Sequence, residues 1–350
     1  MTAENTEGKM QYVRLGNSGL KVSRIILGLM SYGTPEWADW VLGEEEGIKH
    51  IKTAYDFGIQ TFDTANAYSN GLSEVILGKA IKQHSLPRDE IVVMTKAYSL
   101  VGRTPQEKYT SVKGVADGVD ALGYVNQYGL SRKIFESVKH SLERLQLDYI
   151  DVLQCHRFDY NTPIAETMQA LHDVVQAGYV RYIGMSSCYA YQFHAMQNYA
   201  INNKLTPFIS MQNQYNLLYR EEEPEMMPTL KMLGVGMIPW YPLAGGALAH
   251  PTSKVTLRSS TDTALAAIVN MGDASQEIIK RVEKVAKKRN VSMAQVATAW
   301  TLCKDVISAP IVGTTKLQNL DVVGAVRLRL TDEEMEYLEE PYVPQNVRSH

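Results

Sequence analysis

The chain has 350 residues, 45% of them hydrophobic, and a formal net charge of -3. This length can bury one barrel-sized core or two smaller ones. The nearly balanced charge, without a block of basic residues, argues against nucleic acid as a partner.

Short β-branched apolar runs alternate with longer segments of helical spacing along nearly the whole chain. This alternation is typical of repeated βα units and a parallel sheet. The strand candidates are Arg24–Leu29, Gln60–Thr64, Ile91–Lys96, Tyr149–His156, Tyr182–Ser186, Phe208–Gln212, Gly236–Trp240 and Ala309–Gly313. The helical segments between them include Glu45–Phe57, Ser73–Lys82, Ser131–Leu145, Pro163–Gln176 and Gln276–Arg289. Eight strands are the number that closes a (β/α)8 TIM barrel, and a doubly wound open sheet is the alternative.

Three segments interrupt this regular alternation. Tyr12–Lys21 carries Gly-Asn-Ser-Gly between apolar residues, which predicts an N-terminal β-hairpin that plugs the bottom of the barrel. Tyr98–Leu130 and Leu243–Ser275 are long loops after the third and seventh strands, on the C-terminal face where barrels bind substrate and cofactor. No linker or repeat divides the chain, so we predict a single domain over residues 1–350 with a core of about 12–335.

The cysteines and the first residues indicate the compartment. Cys155, Cys188 and Cys303 lie far apart without metal-ligand spacing, and we expect each to be a small buried hydrophobe in a reducing environment. The amino terminus lacks the basic start and apolar run of a secretory signal, and no stretch of about 18 apolar residues could cross a membrane. The expected location is the cytosol, with no membrane partner.

Four polar residues lie at or just past the ends of three successive predicted strands. Asp63 and Tyr68 belong to TFDTANAYSNG, Lys96 ends VVMTK, and His156 lies in LQCHRFD. Barrel geometry would bring them together at one face. Taken singly, each could have only a structural role, as a helix cap, a rim contact, an exposed charge or a partner of a backbone carbonyl.

Taken jointly, the four residues form a chemical group. A lysine that ends an apolar strand needs a carboxylate such as Asp63 to compensate its charge. An ammonium beside Tyr68 would favour the phenolate and so ease proton transfer near pH 7. His156 could give a second hydrogen bond to the same substrate oxygen. The residues therefore predict an acid for carbonyl reduction.

The same motifs resemble the aldo-keto reductase superfamily, over about Tyr12 to Met335. GIQTFDTANAYSNGLSEVILGKAI and GYVRYIGMSS are similar to its two signatures, and VVMTK and DYIDVLQCHRFD to the segments with its lysine and histidine. The resemblance implies hydride transfer from NADPH to an aldehyde or ketone, with Tyr68 as proton donor in a tetrad with Asp63, Lys96 and His156. The reverse alcohol oxidation uses the same groups. The nearest branch is aryl-alcohol dehydrogenase-like, which implies aromatic or aliphatic aldehydes.

The resemblance also implies a set of cofactor contacts. They are Ser186, Ser187, Gln212, Trp240, Leu243, Gly245, Gly313, Thr314, Thr315, Lys316 and Asn319. Three positions depart from the family's pattern. Ser187 replaces the usual asparagine, Asn319 stands where arginine or glutamine is commoner, and Val323 stands where asparagine is commoner. Lys254 and Arg258 could add positive charge near the phosphates, although a solvated surface explains them equally well.

Other classes of oxidoreductase have no support in the motifs. No GxGxxG opens a helix after a strand, and no HExxH or spaced His/Cys set occurs, so neither a Rossmann nor a zinc dehydrogenase is indicated and no metal is expected. The alternative from another class is a cofactor-sensing binding subunit resembling potassium-channel beta subunits, because fold does not determine function. Repeated turnover of a small carbonyl substrate would separate the two. No oligomeric state is predicted.

Overall fold

The computed structural model describes residues 10–107, 130, 133–254, 256–262 and 272–348. Its strands are β1 (Tyr12–Arg14), β2 (Lys21–Ser23), β3 (Ile26–Gly28), β4 (Thr61–Asp63), β5 (Val92–Ala97), β6 (Ile150–Cys155), β7 (Val180–Ser186), β8 (Phe208–Gln212), β9 (Gly236–Met237) and β10 (Ile311–Val312). Its α-helices are α1 (Glu44–Asp56), α2 (Leu72–Gln83), α3 (Ile134–Leu145), α4 (Ile164–Gln176), α5 (Ala190–Asn202), α6 (Met226–Leu233), α7 (Leu257–Thr261), α8 (Asp273–Arg289), α9 (Met293–Leu302) and α10 (Asp332–Glu339).

The strands from β3 to β10 form one eight-stranded parallel sheet in the order β10-β3-β4-β5-β6-β7-β8-β9. Isolated parallel bridges join Met237 to Ile307 and Trp240 to Ile311, which connects the two ends of the sheet. The predicted parallel barrel architecture is therefore confirmed, and the open-sheet alternative is not. Each predicted strand coincides with an observed one, but several observed strands are shorter.

The N-terminal hairpin is also confirmed, with β1 antiparallel to β2. Leu15 and Val22 of this hairpin are buried against interior barrel residues that include Met94, Val152 and Ile238. Burying a side chain of this size contributes about 1.5–3 kcal/mol. The hairpin therefore closes one end of the barrel with an apolar plug.

Contacts at the start of the strands show which end this is. The Ser23 amide donates to Thr61 Oγ1 at the first residue of β4 over 3.0 Å. The Arg24 guanidinium donates to the carbonyls of Ile307 and Ser308, ahead of β10, at 2.6 Å each. The plug therefore covers the N-terminal ends of the strands, and the C-terminal ends remain for a functional site.

Helices cover the outside of the sheet, and their starts follow the expected chemistry. Ser292 and Thr331 form capping boxes at α9 and α10, in which each hydroxyl accepts the backbone N–H three residues later. The helix predicted from Ser131 begins at Ile134, and residues 131–132 lie outside the described part. Of the two predicted long loops, residues 108–129 and 263–271 also lie outside it.

One sequence-based expectation about the cysteines is wrong. Cys155 and Cys188 are buried as predicted, but Cys303 is exposed. Cys303 is the C-terminal cap of α9, where the chain leaves the core, so its side chain no longer shares the buried face of the helix. In the described part of the chain, no helix has both the length and the apolar character needed to cross a membrane.

Candidate active site

The structure brings Asp63, Tyr68, Lys96 and His156 together at the C-terminal end of the barrel. Asp63 ends β4, Lys96 is the penultimate residue of β5, and His156 directly follows β6. Because β4, β5 and β6 are neighbours in a parallel sheet, their C-terminal ends lie side by side. Tyr68 reaches the same place from the turn between β4 and α2.

Lys96 is the centre of this group. Its Nζ donates to Asp63 Oδ2 at 2.6 Å, to the Thr64 carbonyl at 2.8 Å and to Tyr68 Oη at 3.3 Å. The side chains of Lys96 and Asp63 are 0% and 3% exposed, so this ion pair is withdrawn from water. Three acceptors match the three N–H bonds of an ammonium, which is how a buried lysine can keep its charge.

The electrostatics keep this lysine protonated. Burial alone would lower the pKa of Lys96, but the negative charge of Asp63 and the hydrogen bonds to Asp63 and Tyr68 outweigh it, and the pKa is raised above its usual value. The ammonium also lies 5.0 Å from the centre of the Tyr68 ring. A permanent positive charge therefore faces the phenol oxygen.

His156 completes the group from the other side. Its ring packs edge-on against Tyr68, with centroids 5.8 Å apart and planes at 83°. Burial lowers the pKa of His156 well below its usual value, and the charges of Arg157 and Lys96 lower it further. The imidazole is therefore neutral near pH 7 and can donate a hydrogen bond from one ring nitrogen without carrying charge.

The turn that carries Tyr68 is held by a residue that the sequence analysis missed. Ser69 and Asn70 have φ of 45° and 50°, and Gly71 follows at 94°, so the chain turns through successive left-handed residues. The Asn70 side chain accepts from the Gly102 amide at 2.8 Å and donates to the Glu107 carbonyl at 2.8 Å. Asn70 thus fastens the tyrosine turn to the loop after β5. The Asn-Gly pair in YSNG was the signal for it.

Two glutamines surround the free oxygen of the carboxylate. Gln154 and Gln212 donate their side-chain amides to Asp63 Oδ1 at 2.9 and 3.0 Å, and Gln212 also donates to Gln154 Oε1 at 2.7 Å. Gln212 was predicted as a cofactor contact, and it also touches the Lys96–Asp63 pair. Gln154 was missed, although a polar residue within the buried run IDVLQC could have indicated an interior hydrogen bond.

The predicted cofactor residues Ser186, Ser187 and Trp240 lie together beside Gln212. Ser186 Oγ donates to the Gln212 carbonyl at 2.7 Å, and the Trp240 indole donates to Ser187 Oγ at 3.2 Å. Ser187 has a left-handed backbone, with φ of 48°, and its amide donates to Asn213 Oδ1 at 2.8 Å. These residues form a polar wall with a half-buried indole at the ends of β7 and β8.

Leu243 and Gly245 lie in a tight turn after β9. Gly245 has φ of 65°, which glycine adopts without strain. Further along, Arg258 stacks over Trp40 with its Cζ 4.1 Å from the ring centroid, and its Nε donates to Asp262 at 3.1 Å. The structure therefore places Arg258 as a brace between the loops after β3 and β9, and not as a free cation.

The predicted phosphate contacts follow β10. Thr314 Oγ1 accepts from the Lys316 amide at 3.0 Å and donates to the Lys316 carbonyl at 2.8 Å, which fixes the turn over Gly313, Thr314 and Thr315. Lys316 and Asn319 are exposed at the start of a 3-10 segment, Leu317–Val326. Backbone amides at such a start favour anions.

A basic cluster forms beside this turn. Lys254 Nζ lies 3.4 Å from His250 Nδ1. Burial lowers the pKa of His250, and the positive charges of Lys254 and Lys316 lower it further. The positive charge of this basic cluster therefore comes from Lys254 and Lys316, with the His250 imidazole beside Lys254.

A cavity of about 530 Å³ opens next to these segments. Its lining includes Pro251, which follows His250, and Asp321, in the 3-10 segment after Lys316. The rest of the lining comes from α8, α9 and their junction: Glu283, Ala286, Lys287, Asn290, Val291, Ser292, Met293 and Gln295. The fit of a nicotinamide cofactor is better judged on the polar wall and the turn after β10, where hydroxyl groups and an indole are suited to contact a nicotinamide ring, and backbone amides with the exposed Lys316 are suited to contact a phosphate.

Fold and site together define a parallel barrel protein with a buried lysine, carboxylate and tyrosine group at the strand ends. The aldo/keto reductase family profile matches residues 24–342. The chain therefore belongs to the aldo/keto reductase family, whose members are oxidoreductases that use nicotinamide cofactors and act on small carbonyl compounds.

Individual relatives agree with this assignment. The chain is 49% identical over 346 residues to the versiconal hemiacetal acetate reductase of Aspergillus parasiticus, covering 97% of this chain and 98% of that protein. It is 50% identical over 341 residues to a Schizosaccharomyces pombe protein named "Putative aryl-alcohol dehydrogenase", covering 95% and 96%. A Saccharomyces cerevisiae protein that is also named "Putative aryl-alcohol dehydrogenase" is 45% identical over 344 residues, covering 97% of this chain and 99% of that protein. The predicted resemblance to the aryl-alcohol dehydrogenase-like branch is confirmed.

Proposed function

We propose that this protein is an NADPH-dependent reductase of aldehydes and ketones, built as one barrel domain from about residue 12 to 335. The observation that carries the proposal is the contact of Lys96 with both Asp63 and Tyr68 in a buried pair beside His156. A phenol held between an ammonium and an imidazole at the mouth of a barrel is suited to protonate a substrate oxygen.

Each of the four residues has a distinct part in the proposed reaction. When bound, NADPH supplies the hydride that adds to the carbonyl carbon. Tyr68 Oη donates its proton to the carbonyl oxygen, which becomes the alcohol hydroxyl, and the phenolate regains a proton from solvent. Lys96, held by Asp63, stabilises that phenolate, and neutral His156 orients the carbonyl by hydrogen bonding.

The cofactor would lie across the C-terminal face. Gln212, Ser186 and Ser187 offer amide and hydroxyl groups for the carboxamide, and Trp240 offers an indole face for the nicotinamide ring. The remaining predicted contacts belong to the tight turn after β9 and to the segment after β10. They are Leu243, Gly245, Gly313, Thr314, Thr315, Lys316 and Asn319. Lys254 and Lys316 of the basic cluster supply positive charge for a bound phosphate.

Turnover is the direct test of the proposed function. Purified protein with NADPH and a panel of aromatic and aliphatic aldehydes should oxidise many equivalents of NADPH per protein molecule, with alcohol formed in equal amount. The names of two relatives favour aryl aldehydes in this panel. A single slow oxidation per molecule would instead support a cofactor-sensing subunit.

Chelation gives a second expected result. We expect kcat and KM to stay unchanged after dialysis against EDTA, because side-chain donors polarise the carbonyl and no Lewis acid is needed. Activity is measured before and after dialysis, with a zinc dehydrogenase treated in parallel as a control. A loss of activity that added zinc restores would contradict the proposed mechanism.

The preference for NADPH should depend on Lys316. A 2′-phosphate brings charge that NADH lacks, so a cation that meets it favours one cofactor only. We expect Lys316→Ala to raise the Kd for NADPH at least about fivefold and the Kd for NADH less than about twofold, with the difference shrinking as salt is added.

The matched control is Lys231→Ala, which removes another exposed lysine, near the start of β9 at the opposite end of the barrel. Both Kd values are measured by quenching of tryptophan fluorescence in wild type and variants. Equal losses for NADPH and NADH in Lys316→Ala would assign Lys316 a structural role, and tighter NADH binding by the wild type would overturn the proposed specificity.

A further inference from the structure

We propose that Glu222 is a positioning residue that holds the nicotinamide end of the cofactor site through Asn213 and Ser187. The inference rests on the proposed function, because it assigns a role within that site. Glu222 lies in the loop after β8 and is 2% exposed. It belongs to none of the motifs that carry the family resemblance.

A continuous chain of hydrogen bonds runs from the carboxylate to the indole. Asn213 Nδ2 donates to Glu222 Oε2, and Asn213 Oδ1 accepts from the Ser187 amide at 2.8 Å. Ser187 Oγ then accepts from the Trp240 indole N–H at 3.2 Å. The first link lies within the loop after β8, and the other two join that loop to the end of β7 and the end of β7 to the segment after β9, so the chain that starts at the carboxylate spans all three strand ends.

The first link decides which way the Asn213 amide points. A carboxylate accepts hydrogen bonds but cannot donate them, so Glu222 fixes the NH2 group of Asn213 towards itself. The oxygen of Asn213 must then face Ser187. With the amide reversed, Asn213 would present its NH2 to the Ser187 N–H, and two donors would face each other.

The second link holds an unusual backbone. Ser187 has φ of 48°, a left-handed conformation that a residue with a side chain adopts only when its surroundings require it. Its amide is shared between the Gln212 carbonyl, at 3.2 Å, and Asn213 Oδ1, at 2.8 Å. This conformation sets where the Ser187 hydroxyl points, and that hydroxyl anchors Trp240. The orientation of the polar wall, where the nicotinamide is proposed to bind, therefore depends on Glu222.

The charge of Glu222 also acts on the residue that follows Ser187. Burial raises the pKa of Cys188 well above its usual value, and the negative charge of Glu222 raises it further. The carboxylate therefore has an electrostatic effect on Cys188 in addition to its hydrogen bond with Asn213. Burying a carboxylate is unfavourable unless it is hydrogen-bonded, so a defined task for this charge is expected.

A pair of substitutions that reverses the first hydrogen bond tests the proposal. Asn213→Asp keeps an oxygen for the Ser187 amide but sets a second carboxylate against Glu222. Glu222→Gln in the same chain supplies an NH2 group that can donate to the new Asp, so N213D/E222Q restores the bond with its direction reversed. Glu221→Gln is the matched control, because the neighbouring Glu221 binds Tyr342 and Gln345 of the C-terminal segment instead.

Two probes separate positioning from general damage. NADPH reports on the whole site, and adenosine 2′,5′-bisphosphate reports on the adenosine and 2′-phosphate end without nicotinamide. We expect N213D to weaken NADPH binding at least tenfold and lower kcat, with the Kd for the bisphosphate unchanged within about twofold. The double variant should recover NADPH binding to within about threefold of wild type, and E221Q should match wild type.

Several outcomes would overturn the proposal. N213D could weaken both probes equally, or the double variant could bind NADPH more than tenfold worse than wild type. The double variant decides the question even where N213D alone does not fold, which thermal unfolding would show. Failure of the proposed function is distinguishable, because then the wild type itself would not turn over aldehydes with NADPH.

Discussion

Replacing Tyr68 with Phe should lower kcat at least about a hundredfold while the Kd for NADPH stays within about threefold of wild type. The substitution removes the phenol oxygen, which lies 3.3 Å from Lys96 Nζ, and leaves the ring that packs against His156. Within the described part of the chain, that oxygen is hydrogen-bonded to Lys96 and not to a residue of the proposed cofactor site. Steady-state kinetics with an aromatic aldehyde and a fluorescence titration with NADPH measure the two quantities.

The matched control is Tyr160→Phe, because Tyr160 is 63% exposed in the loop after His156 and loses the same hydroxyl. It should keep wild-type turnover. If Tyr68→Phe retained near-normal kcat with an unchanged thermal midpoint, Tyr68 would not be the proton donor. A large rise in the Kd for NADPH with kcat preserved would instead make Tyr68 a cofactor contact.

The barrel and the positions of the four central residues could be predicted from sequence because both depend on local patterns. Apolar runs of strand length end at Asp63 and Lys96, and parallel order brings the ends of neighbouring strands together. Tyr68 follows Asp63 by only five positions, so its reach is limited by the short turn. The order of the strands was therefore almost sufficient to predict that these four side chains meet at the C-terminal face of the barrel.

The surrounding hydrogen bonds could not be predicted in the same way, because they depend on which side chains meet after the barrel closes. Gln212 and Asp63 are 149 residues apart and meet only through the interior. Glu222 and Arg258 look like ordinary surface charges in sequence, yet Glu222 is buried and accepts a hydrogen bond from Asn213, and Arg258 stacks on Trp40. Charge alone does not reveal burial or partner.

Asp63→Asn should be the most disruptive change at the site, in both activity and stability. It removes the negative partner of a buried ammonium, and leaving one member of a buried ion pair uncompensated costs about 3–5 kcal/mol. Lys96 would then be governed by burial, which lowers its pKa. We expect kcat to fall at least about a hundredfold near pH 7, because a neutral amine no longer stabilises the Tyr68 phenolate.

The pH dependence of Asp63→Asn has a definite sign. In the wild type the pKa of Lys96 is raised, so its contribution to stability is fully present below the unfolded value of about 10.4 and is lost only as pH rises through the folded value. In the variant the folded pKa lies below the unfolded one, so the unfolded chain binds more protons and stability should increase as pH rises towards about 10. Urea unfolding from pH 6 to 10 measures this slope, with Asp56→Asn as control, since Asp56 pairs with Lys52 at the exposed surface. The alkaline limb of the kcat profile should also move to lower pH in Asp63→Asn. If the variant instead lost the same stability at every pH, Asp63 would not control the charge of Lys96.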